Sequence, residues 1–249
     1  MIQTILNHRS IRKYSKKKLD KQILDEILKA GTRASTTGNM QIYSIIVTQE
    51  EELKNRLWEL HFKQDMVKQA PVVLTFCADM NRFNKWCELS NTKPAYDNFL
   101  WFYNASIDAL LAAQNVAIAA ESHGLGICYL GTTTYMADKI AGILDLPKHV
   151  VPVTTLVVGY PDESPELTDR LPIEAVVHYE KYQDYDNETI KQLYKEKEEL
   201  PLTKELIKQN NTENLAQVFT EKRYVKKDNL FFSKSFLEFI KKQNFMNND

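Results

Sequence analysis

The stretch 99–123 constrains the fold more than any other. Read as a helix it is apolar on nearly every side: Ile107, Leu110, Leu111, Val116 and Ile118 mix with many alanines, and polar residues are few. A helix of that kind must be covered all round. In a chain of 249 residues, this calls for a central helix that also meets a partner subunit. A membrane span is the rival reading, and Asn104, Asp108, Gln114, Asn115 and Glu121 count against it.

The remaining elements arrange themselves around this helix. Ile23, Leu24, Ile27 and Leu28 recur at helical spacing over 19–30, with Asp20 as cap and Gly31 as terminator. A loop of hydroxyls and amides, 32–41, leads into a β-branched strand at 42–48. A helix over 50–60 and a buried strand over 72–78 follow, with Pro71 at the strand's start. The segment 81–98, with Trp86, Pro94 and Tyr96, reads as a long irregular excursion and a candidate lid. Beyond Gly124 the pattern gives a short strand at 126–131, the run Thr132-Thr133-Thr134, a helix over 135–144 and a buried strand at 150–159. From 181 onward lysine, glutamate and asparagine dominate, with helical patches such as 232–240. Helices and strands interleave without a strict βαβ period. The expected class is therefore α+β, a sandwich of helices over a mixed sheet.

Composition excludes more than it assigns. The net charge is -1, with both signs mixed along the chain, so nothing argues for nucleic acid. Cys77, Cys87 and Cys128 are odd in number and form no CxxC, which fits a reducing cytosol. There is no signal-peptide core at the start, and no HExxH or GxSxG. His8, His61, His123, His149 and His178 show no metal-ligand spacing. With 7 glycines the chain has neither GxGxxG nor a P-loop, so a nucleotide phosphate must be met by side chains.

One candidate is the run His8-Arg9-Ser10-Ile11-Arg12-Lys13-Tyr14. An arginine fork matches phosphate oxygens, often two at a time. In a helix or tight turn, Arg9 and Arg12 would converge on one anion. A solvated basic face continued by Lys16, Lys17 and Lys18 is the competing reading. Arg170, between two proline-bearing turns, is a second loop arginine able to close on the same anion.

These residues resemble the FMN-binding motifs of the nitroreductase / flavin reductase family, nearest the oxygen-insensitive NADPH nitroreductases. The matching pieces, in order, are 8–14, the hydroxyl loop ending in Met40-Gln41, the stretch 124–131, the block from Leu146-Pro147 to Gly159-Tyr160-Pro161, and Arg170-Leu171-Pro172. The resemblance implies a three-layer sandwich with a mainly antiparallel sheet. It divides the chain into an FMN-binding domain at 1–180 and a C-terminal helical arm at 181–249 that packs on the core or the partner.

It further implies a cytoplasmic homodimer with FMN at the interface, no nucleic acid or membrane partner, and NADPH or NADH as donor. His8, Arg9, Ser10 and Arg12 would bind the flavin from one subunit. Arg9 and Arg170 would face the phosphate, and Arg12 the pyrimidine end of the ring. Ser35, Thr36, Thr37 and Gln41 would come from the other subunit. Gln64 would hydrogen-bond the ring, and Leu130 and Gly131 would set backbone against it near N5. The implied reaction is ping-pong hydride transfer to a small acceptor such as a nitroaromatic, a quinone or a free flavin, with the chemistry carried by FMN. A flavin reductase serving a partner enzyme, or a non-enzymatic flavin binder, are the alternatives.

Three departures stand out. The family's Lys-x-Arg phosphate loop is Thr168-Asp169-Arg170 here, which implies weaker FMN binding. The arginine loop that reads the 2′-phosphate of NADPH is missing around 208–214; Lys222, Arg223, Lys226 and Lys227 are candidate substitutes. A Gly-Gly pair after the strand is Gly131-Thr132. The regions 63–69 and 81–98 are expected to shape the acceptor pocket.

Overall fold

The computed structural model describes residues 2–247. The described residues fall into two compact units: 2–166 with 232–247, and 167–231.

The first unit is built on a four-stranded antiparallel sheet of order β1-β2-β4-β3. Its strands are β1 (Tyr43–Thr48), β2 (Val72–Asp79), β3 (Gly126–Leu130) and β4 (Val150–Gly159). Seven helices belong to this part of the chain: α1 (Ile2–Leu6), α2 (Lys21–Gly31), α3 (Glu51–Leu60), α4 (Met66–Gln69), α5 (Asn81–Leu89), α6 (Phe99–Ser122) and α7 (Ala137–Ile143). Side chains alternate across the sheet with period two. Leu74, Phe76, Leu156 and Val158 pack with Ala109, Ala112, Ala113 and Val116 of α6 on one face. Val73, Val157, Cys128 and Leu130 pack with Leu57, Val67 and Ile140 from α3, α4 and α7 on the other. Three layers result, with both inner strands buried, as the sandwich reading expects. Pro152, inside β4, is tolerated because the register shifts there between Phe76 and Cys77.

The second unit holds α8 (Asn187–Glu199), α9 (Pro201–Asn210), α10 (Leu215–Gln217) and a π-helical turn, Val218–Arg223. Asp186 caps α8 by accepting from the Thr189 amide, and Pro201 starts α9, where its missing N–H costs nothing. A last helix, α11 (Lys226–Lys242), ends within the first unit. There Phe239 and Ile240 pack with Phe102, Ala105 and Val151.

One expectation needs correction. The segment 81–98 is not irregular throughout. Its first half is α5, where Phe83 meets Trp86 and Tyr96 edge-on at 5.4 and 5.5 Å. Gly31 does end α2, as its last residue, but it is there for close approach to α6 rather than for a left-handed cap. A Cβ there would stand 2.5 Å from Val116 Cγ2, so glycine is needed for close approach. The cap at Asp20 is as expected, accepting from the Gln22 amide at 2.7 Å.

Candidate functional site

The segment 8–14 is neither helix nor tight turn. It runs extended along β3: Ser10 bridges Ile127 in parallel, and the Ile11 amide donates to the Ile127 carbonyl at 2.9 Å. Two glycines make room for it. A Cβ on Gly126 would lie 2.7 Å from Ile11 Cβ, and one on Gly159 would lie 2.9 Å from Tyr14 Cδ1. Tyr14 is buried and pins the segment, its hydroxyl donating to the Ile11 carbonyl at 2.7 Å.

Extended backbone separates what a helix would have joined. Arg9 and Ile11 line one cavity, of about 440 Å³, whose wall also includes Glu121, Gly126 and Glu163. Ser10 and Arg12 instead lie beside Cys128. Burial raises that thiol's pKa, while the Arg12 charge and the Ser10 hydrogen bond oppose the shift. Arg9 donates to the carbonyls of Pro165 (3.0 Å) and Asn7 (3.3 Å). Arg12 is exposed, and its own amide and that of Lys13 are held by the Glu163 carboxylate. His8 Nδ1 meets Glu121 Oε1 of α6 at 2.7 Å.

The hydroxyl loop is organised by a residue that the sequence presented only as an argument against a membrane span. Asp108, 1% exposed, sits inside α6. Its Oδ1 accepts from the Thr37 amide (2.9 Å) and hydroxyl (3.2 Å), and its Oδ2 from the Ile42 amide (3.4 Å). Gly38, Asn39 and Gln41 are in the left-handed region, φ 54–56°. The Gln41 carbonyl accepts from the Arg82 guanidinium, a second contact that sequence reasoning missed. Ser35 is exposed and Thr36 is half-buried.

A third group surrounds the end of β3. Leu130 is buried, and its carbonyl accepts from the Thr133 hydroxyl at 2.8 Å. Gly131 is exposed, and nothing lies within 4 Å of the Cβ it would carry. Next to it, Thr132 Oγ1 meets His61 Nδ1 at 2.7 Å and Gln64 Nε2 at 3.5 Å. Gln64 also donates to the His61 carbonyl at 3.0 Å. His61 is fully buried, and burial lowers its pKa to about 4. Between His61 and Gln64, Phe62 and Lys63 both take left-handed backbone, φ 55° and 57°. That is costly for bulky side chains, of order 1–3 kcal/mol each. Phe62 lies near Tyr135 and Phe232 (centroids 6.4 and 6.2 Å), and those two rings stack at 4.4 Å and 14°.

Arg170 belongs to the second unit. It folds onto its own loop, donating to Thr168 Oγ1 (2.7 Å) and the Asp169 carbonyl (2.8 Å). The Asp169 carboxylate is taken by Lys197 at 2.5 Å.

Gln64, Leu130 and Gly131 are thus gathered at one strand end, and Ser10 and Arg12 lie along the same strand. The loop 35–41 stands apart. It is fixed to Asp108, whereas His8 is fixed to Glu121, about 20 Å further along α6 at 1.5 Å per residue. Among the described residues no cluster of His, Cys, Asp or Glu is arranged to hold a metal, and no helix is long and apolar enough to cross a membrane.

An α+β sandwich with a basic segment running beside the edge strand β3, and an open glycine just past that strand's end, is the class these features define. The chain belongs to the nitroreductase family, whose profile matches residues 5–160. It is 40% identical over 183 residues to an FMN reductase (NADPH) of Bacillus subtilis (strain 168), covering 73% of this chain and 74% of that one. A crystal structure from Bacteroides fragilis NCTC 9343 superposes with TM-score 0.97 at 51% identity, covering 98% and 100% of the two chains. The NfrA1 nitroreductase of B. subtilis superposes with TM-score 0.87 at 31% identity, covering 98% of each.

Proposed function

We propose that this chain is an FMN-dependent NAD(P)H oxidoreductase acting as a homodimer whose flavin sites each draw on both copies. The observation that carries this reading is the separation along α6 of the segment 8–12 from the loop 35–41. One copy does not bring these groups to one ligand. A second copy, turned about a two-fold axis, sets the loop of one against the strand of the other. The outer face of α6 supports this arrangement: Leu100, Tyr103, Ile107, Leu110 and Leu111 are exposed in the single chain. A patch of that kind marks an interface.

The residues fit a flavin mononucleotide. The open backbone at Gly131 admits a flat ring, and the Gln64 and Thr132 side chains beside it offer hydrogen bonds to the ring's edge. In this reading Arg12 stands at the pyrimidine end, where its cation favours negative charge on the ring. Arg9 holds the phosphate, with His8 and Ser10 as further donors. Ser35, Thr36, Thr37 and Gln41 reach the cofactor from the partner. When bound between these residues, FMN would supply hydride transfer from NADPH or NADH to a small acceptor. The aromatic group Phe62, Tyr135 and Phe232 suits a planar acceptor, such as a nitroaromatic, a quinone or a free flavin. The relative named as an FMN reductase supports flavin among these. The three cysteines are free, in keeping with a cytosolic setting.

The purified protein, supplied with FMN and freed of excess, is expected to be yellow and to bleach under anaerobic titration with NADPH. A protein that takes up no FMN contradicts the proposal. Turnover on free FMN against turnover on a nitroaromatic separates a flavin reductase from a nitroreductase.

A further inference from the structure

We infer that Thr132 is a positioning residue: its hydroxyl is a hydrogen-bond donor aimed by His61 at an acceptor atom of the ring lying over Gly131. The inference rests on the flavin reading above and adds to it a contact made by this chain's own side chains.

One nitrogen of the His61 ring is unpaired. The ring is fully buried, Nδ1 lies 2.7 Å from Thr132 Oγ1, and Nε2 has no partner. Burial keeps the imidazole neutral at ordinary pH, so one nitrogen carries the proton and the other a lone pair. A proton on Nε2 would leave a buried N–H without an acceptor. A proton on Nδ1 leaves only a bare lone pair, and buried groups short of a donor are the commoner of the two defects. The favoured tautomer therefore donates from Nδ1 to Thr132.

That choice fixes the threonine. Its oxygen accepts from His61, and the Gln64 amide approaches the same oxygen at 3.5 Å. The hydroxyl hydrogen must point away from both donors. Among the hydrogen bonds of the described residues, none takes it. The neighbouring Gly131 is exposed and opens onto free space. The hydrogen is thus presented to the side where the ring binds, and a ring carbonyl or unprotonated ring nitrogen is the group it suits. The left-handed turn at Phe62 and Lys63, which sets His61 and Gln64 against Thr132, is the kind of costly backbone that persists where function requires it.

The test measures FMN affinity and the histidine tautomer rather than turnover. In FMN-free protein, ¹⁵N NMR of labelled imidazole is expected to show the His61 proton on Nδ1. By fluorescence titration, Thr132→Val raises the Kd for FMN about 3- to 10-fold, the change expected for losing one neutral hydrogen bond. Thr132→Ser stays within about 2-fold, because it keeps the donor. His61→Leu matches Thr132→Val, and His61→Asn, whose amide N–H falls near the Nδ1 position, restores binding. The Thr132→Val/His61→Leu pair loses no more than either alone, as members of one chain of contacts do. A proton on Nε2, or a Thr132→Val protein that binds FMN as the wild type does, overturns the inference. A wild type that takes up no FMN rejects the flavin reading itself, before any variant is compared.

Discussion

His61 is fully buried, and its proton affinity is correspondingly low. The unfolded chain binds a proton there below the ordinary value of 6.5, while the native chain resists until about 4. Stability from this residue is therefore intact above pH 6.5 and is lost as pH falls toward 4. The total is about 3 kcal/mol. Urea denaturation across this range is expected to show a steeper acid decline for wild type than for His61→Leu; equal slopes would count against the burial argument. Nothing in the sequence marked this histidine, since its role comes from Thr132, which lies far along the chain. The resemblance singled out Gln64, which lies beside Thr132, whereas nothing in the sequence pointed to Arg82, which holds the Gln41 carbonyl.

Among elements, α6 does the most to arrange the site. Asp108 is the acid of that helix that fixes the loop 35–41, and two backbone amides depend on it. Replacing it by alanine leaves the buried Ile42 amide and the half-buried Thr37 amide without partners and is expected to cost about 2–4 kcal/mol. Thermal melts measure the loss, and an Asp108→Ala protein as stable as wild type would refute this role. Periodicity made α6 and all four strands readable, because burial writes itself into spacing. It was passed over for α5, although Phe83, Trp86 and Cys87 stand at helical spacing, because Pro94 and the polar run that follows made the whole segment read as loop. For the run 8–14 short-range spacing left the backbone open, and pairing with Ile127 across the fold makes it extended. Gly31 shows the same limit, since the close neighbour that demands glycine there is Val116, far along the chain.

At the scale of the whole molecule, the exposed outer stripe of α6 is the feature that one chain leaves unexplained. Leu110 is 48% exposed and Leu100 61%, which is uneconomical for a helix so apolar unless a second copy covers it. Leu110→Arg is expected to shift the protein from a particle of twice 28.9 kDa to one of that mass by light scattering. FMN affinity should fall with it by about tenfold or more, because binding and assembly are linked. A monomeric wild type with full FMN affinity would refute the shared site.

The sharing of one site between two copies is tested most directly by complementation. Arg9→Glu/Arg12→Glu breaks the strand half of the site, and Ser35→Trp fills the loop half. Each variant alone should bind no FMN. Unfolded together and refolded, they form mixed dimers in which one site is intact. FMN binding should then return to about a quarter of the wild-type level, the statistical share for random pairing of two copies. No recovery, from a mixture shown to contain mixed dimers, would contradict the account.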